Sequence, residues 1–376
     1  MPQAVFDDPD GILGMLRDSV AALASRHPGP SSMRARRSDG LLSGGDDSLW
    51  QAMAEAGWTG LLLPEELGGS GLGIIEQAIL SEALGRALIP EPIAAGAVFA
   101  SVLLRKSVPS AERDRLAKGL ASGELRVVPA WHQPNATRGG KPLRALLEGD
   151  GAVIEGNVLF VDAVLSATDF LAVATTNDGA ALISVPANAA GLEVETRPGV
   201  DGAIVGNLRF EGCRSSHVLA HAESVDELVS QAIDFSRVSL AAELAGIASR
   251  AVEMTISYTK DRMQFGKPIA SFQVVQHRLV DMWGDAEFAC ASLVNAAHAL
   301  TQPDAREAQL AILAAKARCG DAATSICRRA VHLHGAMGFT DEHDIGLYLK
   351  RSIALNATLG QPEQLRLEFV NLERAA

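Results

Sequence analysis

The chain has only four cysteines, no excess of basic residues and no long apolar run. Cys213, Cys290, Cys319 and Cys327 form no CxxC pair and no zinc-like spacing, so we expect free thiols in a reducing compartment. The net charge of −12 excludes a general nucleic-acid or anionic-membrane binder. No stretch approaches the ~18–20 apolar residues of a membrane span, and the acidic N-terminus does not resemble a signal peptide. These absences predict a soluble, cytoplasmic protein.

What is present points to more than one domain. A length of 376 residues exceeds what one hydrophobic core usually covers, and 48% hydrophobic with 21% charged residues excludes a disordered chain. The periodicity of apolar residues changes twice along the chain, which predicts an α+β architecture. We expect an N-terminal helical domain over residues 1–125, a middle antiparallel β-domain over 126–222 and a C-terminal helical domain over 223–376.

The N-terminal part is predicted to be mostly helical. Trp50 begins a short apolar helix that a glycine stops at Gly57, and residues 74–88 repeat a helical period. Residues 26–47 are rich in Pro, Gly, Ser and Arg, and this composition predicts a loop.

The middle and C-terminal parts differ in their pattern. Short apolar or alternating runs separated by Gly, Asn, Asp and Pro indicate antiparallel strands between residues 152 and 210. Further on, helical periods cover residues 279–300 and 305–333, whose many small residues suit closely packed helices. A long helix is predicted before them, because five apolar residues recur on one helical face: Leu240, Leu244, Ile247, Ala251 and Met254.

Two C-terminal segments carry the strongest chemical signal: Arg262-Met-Gln-Phe-Gly266 and His334-Gly-Ala-Met-Gly-Phe-Thr340. An arginine can form bidentate, charge-assisted bonds to phosphate, and small residues let backbone amides approach a cofactor. Together with Trp50-to-Gly73, these segments resemble signatures of the acyl-CoA dehydrogenase family, in particular its actinobacterial members. The resemblance covers nearly the whole chain, with the segments in the family's order.

The resemblance implies a C-terminal four-helix bundle and an FAD bound between subunits of a dimer within a tetramer. It places Arg262 and Gln264 near the FAD pyrophosphate and packs Phe265 on the cofactor, while Gln273 reaches FAD from a neighbouring subunit. The glycine loop would let backbone amides approach FAD. The implied cofactor-binding residues are Arg262, Gln264, Phe265, Gln273, Gly335, Ala336 and Gly338.

The family's catalytic carboxylate is missing from both of its usual places. In the family a carboxylate removes the α-proton of an acyl-CoA thioester while flavin accepts the β-hydride. Counting from Gly338 without gaps brings Leu359, followed by Gly360, onto the usual glutamate position, and leucine cannot take a proton. The alternative position, directly before Arg237, is Ser236, a poor acceptor without an adjacent base. We therefore assign no catalytic residue.

Other polar residues offer weaker candidates. Asp234 is expected to cap a helix start, Glu243 to be a buried structural acid, and Glu363 to begin the final helix. His332 and His334 are two residues apart and do not share a helix face, so we expect no metal site.

The β-domain also departs from the family pattern. The family often has a Thr/Ser-Glu pair followed by Gly-Ser-Asp near its first strand, whereas this chain reads Val128-Pro-Ala-Trp-His-Gln-Pro-Asn135 and then Thr137-Arg-Gly-Gly140. Trp131 could stack on an aromatic ring, but core packing is the favoured interpretation. This departure indicates that one chain does not complete a flavin site by itself.

Three functions are compatible with these residues. The favoured hypothesis is a base-lacking subunit of a heteromeric acyl-CoA dehydrogenase, similar to those that shorten steroid side chains, with a homologous subunit in an α2β2 assembly. The second is a self-sufficient homo-oligomeric flavoenzyme, such as a homotetramer, that uses another base or catalyses a related reaction such as dehydration or oxidation on the same fold. The third is a non-catalytic scaffold. The first two imply FAD, an acyl-CoA substrate and an electron-transfer acceptor.

Overall fold

A computed structural model describes residues 1–38, 46–131, 142–149 and 151–375. Helices occupy both ends of the chain and strands its middle, so the predicted fold class is confirmed. Within these ranges no helix has the length and apolar character needed to cross a membrane. The α-helices are α1 (Ile12–Arg26), α2 (Gly29–Ser38), α3 (Asp47–Glu55), α4 (Ile74–Ala87), α5 (Phe99–Lys106), α6 (Ala111–Ser122), α7 (Glu223–Asp261), α8 (Gln273–Ala299), α9 (Ala305–His334), α10 (Ile345–Ala357) and α11 (Pro362–Arg374).

Helix α2 corrects the predicted loop over residues 26–47. Gly29 and Pro30 read as helix breakers, but proline is tolerated in a first helical turn because the amide it lacks has no partner there. Met33 is completely buried and anchors the helix. The predicted helices over residues 50–57 and 74–88 are confirmed as α3 and α4. Asp46 caps the start of α3, because its side chain accepts hydrogen bonds from the backbone amides of Ser48 and Leu49 at 3.0 and 3.1 Å.

The chain forms two compact units, the first comprising residues 1–34, 74–89 and 237–376. In this unit α9 packs against α8, α10 and α11. Leu240, Leu244, Ile247 and Ala251 are buried, as the helical period of α7 predicts. Small residues on α7 and α9 allow close helix packing.

The second unit comprises residues 35–73 and 90–236 and contains the main sheet. Its strand order is β6-β7-β3-β2-β4-β5-β8, with β1 also paired to β4. Most pairs are antiparallel, but β1 and β2 run parallel to β4. One apolar core includes Phe170, Ile183, Leu208 and Phe210. The strands are β1 (Val127–Ala130), β2 (Arg144–Glu148), β3 (Gly151–Asp162), β4 (Asp169–Thr176), β5 (Gly179–Pro186), β6 (Leu192–Pro198), β7 (Ile204–Ser215) and β8 (Val218–His221).

Candidate functional site

The first predicted segment forms a small hairpin directly after α7. Strands β9 (Met263–Gln264) and β10 (Lys267–Pro268) pair antiparallel across a turn at Phe265 and Gly266. Both turn residues have positive φ, 52° and 77°, which is the geometry of a tight type I′ hairpin. The turn projects the Phe265 side chain outward, where it is 92% exposed. An aromatic ring so presented can pack on a planar ligand or on a partner.

Arg262 lies at the base of this hairpin and is exposed. Its backbone continues the helical bonding of α7 through Tyr258 O at 2.9 Å, and its carbonyl accepts the amide of Ile269 at 2.9 Å. The residue lines a 590 Å³ cavity together with Arg250 and His343. Glu253 and Asp261 also line this cavity, and Glu253 forms an ion pair with Arg250 at 2.9 Å. Arg262 is therefore the guanidinium on which binding of an anionic ligand such as a pyrophosphate depends.

The second predicted segment follows α9 as a 3₁₀ turn, Gly335–Phe339. Gly335 has a φ of 63°, a conformation that favours glycine. Gly338 is buried, and a Cβ there would lie 2.5 Å from Val331 O. Ala336 and the 83% exposed Phe339 face outward. Gly335 and Ala336 thus leave the start of the turn exposed, whereas Gly338 lets its end pack closely against α9.

Aromatic contacts join the two segments. The ring of Tyr258, in the last turn of α7, stacks on His334 with centroids 4.3 Å apart, and its hydroxyl donates to His334 O at 3.1 Å. The His343 ring lies 4.3 Å from that of His334. His334 Nδ1 bonds Ala330 O at 2.8 Å, and its buried Nε2 has no protein hydrogen-bond partner among the described residues. Burial lowers the pKa of His334, so its imidazole is neutral at neutral pH.

Gln273 begins α8 and is exposed. The first half of this helix is largely uncovered, since Val274 and Val280 are 60% and 65% exposed and Trp283 is 46% exposed. Phe288 is 68% exposed one turn beyond. Several exposed large apolar side chains on one helix indicate an interaction surface.

The usual base position is occupied by a buried leucine. Leu359 is 5% exposed and has a positive φ of 55°. Its carbonyl accepts a hydrogen bond from Arg237 Nε at 3.0 Å. The alternative position, Ser236, is buried, and its hydroxyl has no hydrogen-bond partner among the described residues. Neither side chain can accept an α-proton.

The carboxylates considered as substitutes lie in other settings. Glu243 is buried, and its Oε1 accepts two hydrogen bonds from Arg351, from Nε at 2.9 Å and from Nη2 at 2.8 Å. Asp234 does not cap the start of α7, because this helix begins at Glu223. Glu363 is exposed in the first turn of α11, as expected. Glu243 thus has the structural pairing that its sequence context favours.

Trp131 packs against Phe99, with ring centroids 5.5 Å apart at an interplanar angle of 29°. Phe99 is buried, which agrees with core packing for Trp131. Most of the region that departs from the family pattern, residues 132–141, lies outside the described residues.

One important residue is absent from the sequence predictions. Lys316 on α9 is completely buried, and its Nζ lies 3.3 Å from the carbonyl oxygens of Asn356 and Gly360. Burial lowers the pKa of this amine to about 7. A single lysine inside the apolar run Ala311-Ile-Leu-Ala-Ala-Lys-Ala317 is the signal that could have found it.

Comparison with known proteins decides the family. Models of the acyl-CoA dehydrogenase N-terminal and C-terminal domains match residues 13–124 and 227–369. Acyl-CoA dehydrogenase IpdE2 of Mycobacterium tuberculosis is 30% identical over 359 residues, covering 94% of this chain and 95% of the relative. The chain belongs to the acyl-CoA dehydrogenase family. Members of this family are FAD-dependent oxidoreductases.

Solved structures share the fold over almost the entire chain. A variant of the Tcur3481-Tcur3483 steroid acyl-CoA dehydrogenase has a TM-score of 0.86 at 28% identity, covering 96% of this chain and 98% of its own. The ChsE4-ChsE5 complex from Mycobacterium tuberculosis has a TM-score of 0.86 at 25% identity, covering 98% and 99%. Both relatives contain two different named proteins.

Proposed function

We propose that this acyl-CoA dehydrogenase chain is the base-lacking subunit of a heteromeric enzyme. The observation that carries the proposal is Leu359, buried in the loop where the family places its glutamate, with Ser236 at the alternative position. Because neither side chain can accept a proton, a second chain must supply the general base. Glu243 does not replace it, since Arg351 already binds its carboxylate inside the helical core.

The predicted cofactor residues fit one part of FAD. Arg262 is an exposed cation on a cavity wall, and Phe265 presents an uncovered ring beside it. Gly338 keeps the neighbouring turn tight against Val331 O, where a side chain would clash. Arg262 and Gln264 would hold the pyrophosphate and the turn from Gly335 its neighbouring groups. When bound, the flavin supplies hydride acceptance.

The partner is proposed to be a homologous acyl-CoA dehydrogenase chain, in an α2β2 assembly. The support is the exposed first half of α8, which carries Gln273, Val280 and Trp283. A partner chain that covers these apolar side chains removes them from water, which stabilises the assembly. Two solved relatives are likewise named as pairs of different proteins.

The proposed reaction is α,β-dehydrogenation of an acyl-CoA thioester, with electrons passed to an electron-transfer acceptor. A steroid-type acyl group is proposed because one relative at 28% identity is named a steroid acyl-CoA dehydrogenase. A cytoplasmic location is proposed from the four free, buried thiols, which suit a reducing compartment.

The test compares the chain purified alone with the chain co-purified with the product of an adjacent homologous gene. Flavin absorbance and acyl-CoA-dependent dye reduction are measured for both. We expect bound flavin and activity only in the co-purified assembly. A yellow and active lone chain would refute the heteromer, and absence of flavin from both preparations would instead favour a scaffold.

A further inference from the structure

Lys316 carries a buried amine that the chemistry described above does not use. Its side chain has no solvent exposure, and its Nζ donates to Asn356 O and Gly360 O, both at 3.3 Å. The charged or titratable groups that influence it are Arg237 from α7 and Cys319 one turn along α9. Burying an ammonium group is costly, so its retention in an apolar helix face requires a compensating role.

Lys316 contacts residues 356–361, a segment that runs from the end of α10 into a strained turn. Leu359 and Gly360 both have positive φ, 55° and 113°, and a Cβ on Gly360 would lie 2.6 Å from a Leu365 methyl group. Arg237 Nε donates to Leu359 O at 3.0 Å, and Arg237 Nη2 donates to Glu368 Oε2 at 3.0 Å. Such backbone geometry persists only where surrounding contacts impose it.

We propose that Lys316 is a positioning residue that fixes the backbone of residues 356–361 and thereby the place of residue 359 in the site. Lys316 holds the carbonyls on both sides of Leu359, while Arg237 holds the carbonyl of Leu359 itself. All three contacts are made to backbone carbonyls, so they do not require a particular side chain at residue 359. The meaning of position 359 rests on the proposed function, but the contacts of Lys316 do not.

The test is hydrogen–deuterium exchange of the lone full-length chain, followed in peptides that cover residues 352–361. Lys316→Met keeps most of the length of the side chain but removes the amine, so that the carbonyls of Asn356 and Gly360 lose their hydrogen bonds from Nζ. We expect protection of the segment to fall about tenfold or more at pH 8. Lys118→Met, on the exposed face of α6, is the matched control and should leave these peptides unchanged.

The pH profile distinguishes this role from general packing. Opening the segment returns Lys316 to water and to its ordinary pKa, so raising the pH through 7 favours the closed segment. In the wild type, protection corrected for intrinsic exchange should rise about eightfold from pH 6.5 to pH 8. In Lys316→Met it should stay constant.

Unchanged protection in Lys316→Met would overturn the proposal. Should that variant not fold, the wild-type profile alone decides, and a flat profile between pH 6.5 and pH 8 would equally overturn it. Because both measurements use the lone chain, they are unaffected by whether a partner chain is found.

Discussion

The buried pair of Glu243 and Arg351 provides the sharpest test of whether this chain contains a substitute base. Both side chains are 7% exposed, and two guanidinium nitrogens bind the same carboxylate oxygen. Replacing Arg351 with methionine leaves the carboxylate buried without this cation, which typically costs about 3–5 kcal/mol. The near-complete burial of both side chains places the cost at the upper end of this range. We therefore expect a cost near 5 kcal/mol.

The double variant Glu243→Leu with Arg351→Met separates pairing from catalysis. An apolar pair of similar volume leaves no buried charge, so we expect it to regain at least about 3 kcal/mol relative to Arg351→Met. Urea unfolding gives these free energies, and dye reduction by the co-purified assembly gives activity. A structural Glu243 predicts near-wild-type activity in the double variant. Additive destabilisation would refute the pairing argument, and an inactive but stable, flavin-loaded assembly would make Glu243 a base.

Three further predictions concern the cofactor, the buried lysine and the partner surface. Arg262→Ala should strip flavin from the assembly. Arg374→Ala, which changes an exposed arginine at the end of α11, is the control and should retain flavin. The flavin absorbance of the purified proteins measures both. Relative to Lys316→Met, the free energy of unfolding of the wild type should rise by about 2 kcal/mol between pH 7 and pH 9. The reason is that burial lowers the pKa of Lys316 in the folded chain to about 7, whereas the lysine of the unfolded chain keeps its proton. Urea unfolding of both proteins at each pH measures the difference, and a difference that stays constant would contradict the prediction. Val280→Asp should prevent co-purification with the partner chain without unfolding this chain, because it puts a charge at an exposed apolar position of α8. An intact complex in size-exclusion chromatography would count against that interface.

The fold could be predicted where local signals agree with packing. The apolar period of α7 identifies its buried face because every helical turn returns the same side to the core. Helix α2 was missed because Gly29 and Pro30 resemble loop residues, and only the burial of Met33 shows what holds the helix in place. Composition alone does not reveal a tertiary anchor of this kind.

The candidate site divides in the same way. The segments from Arg262 and from Gly335 are contiguous in sequence, so their patterns can be read directly. The pairing of Glu243 with Arg351 joins residues 108 positions apart, and Lys316 lies 44 positions from Gly360. Side chains this distant have no fixed spacing for a motif to record.

The loop around Leu359 links these two kinds of information. Sequence shows that the carboxylate is missing, which by itself is compatible with a loop that has lost its site geometry altogether. The structure shows a left-handed leucine whose carbonyl is held by Arg237, while Lys316 holds the carbonyls of Asn356 and Gly360. A left-handed leucine costs free energy, and the loop keeps this conformation because Arg237 and the amine of Lys316 hold its carbonyls. Its retention supports a chain that keeps the shape of an acyl-CoA dehydrogenase site while another chain supplies the proton acceptor.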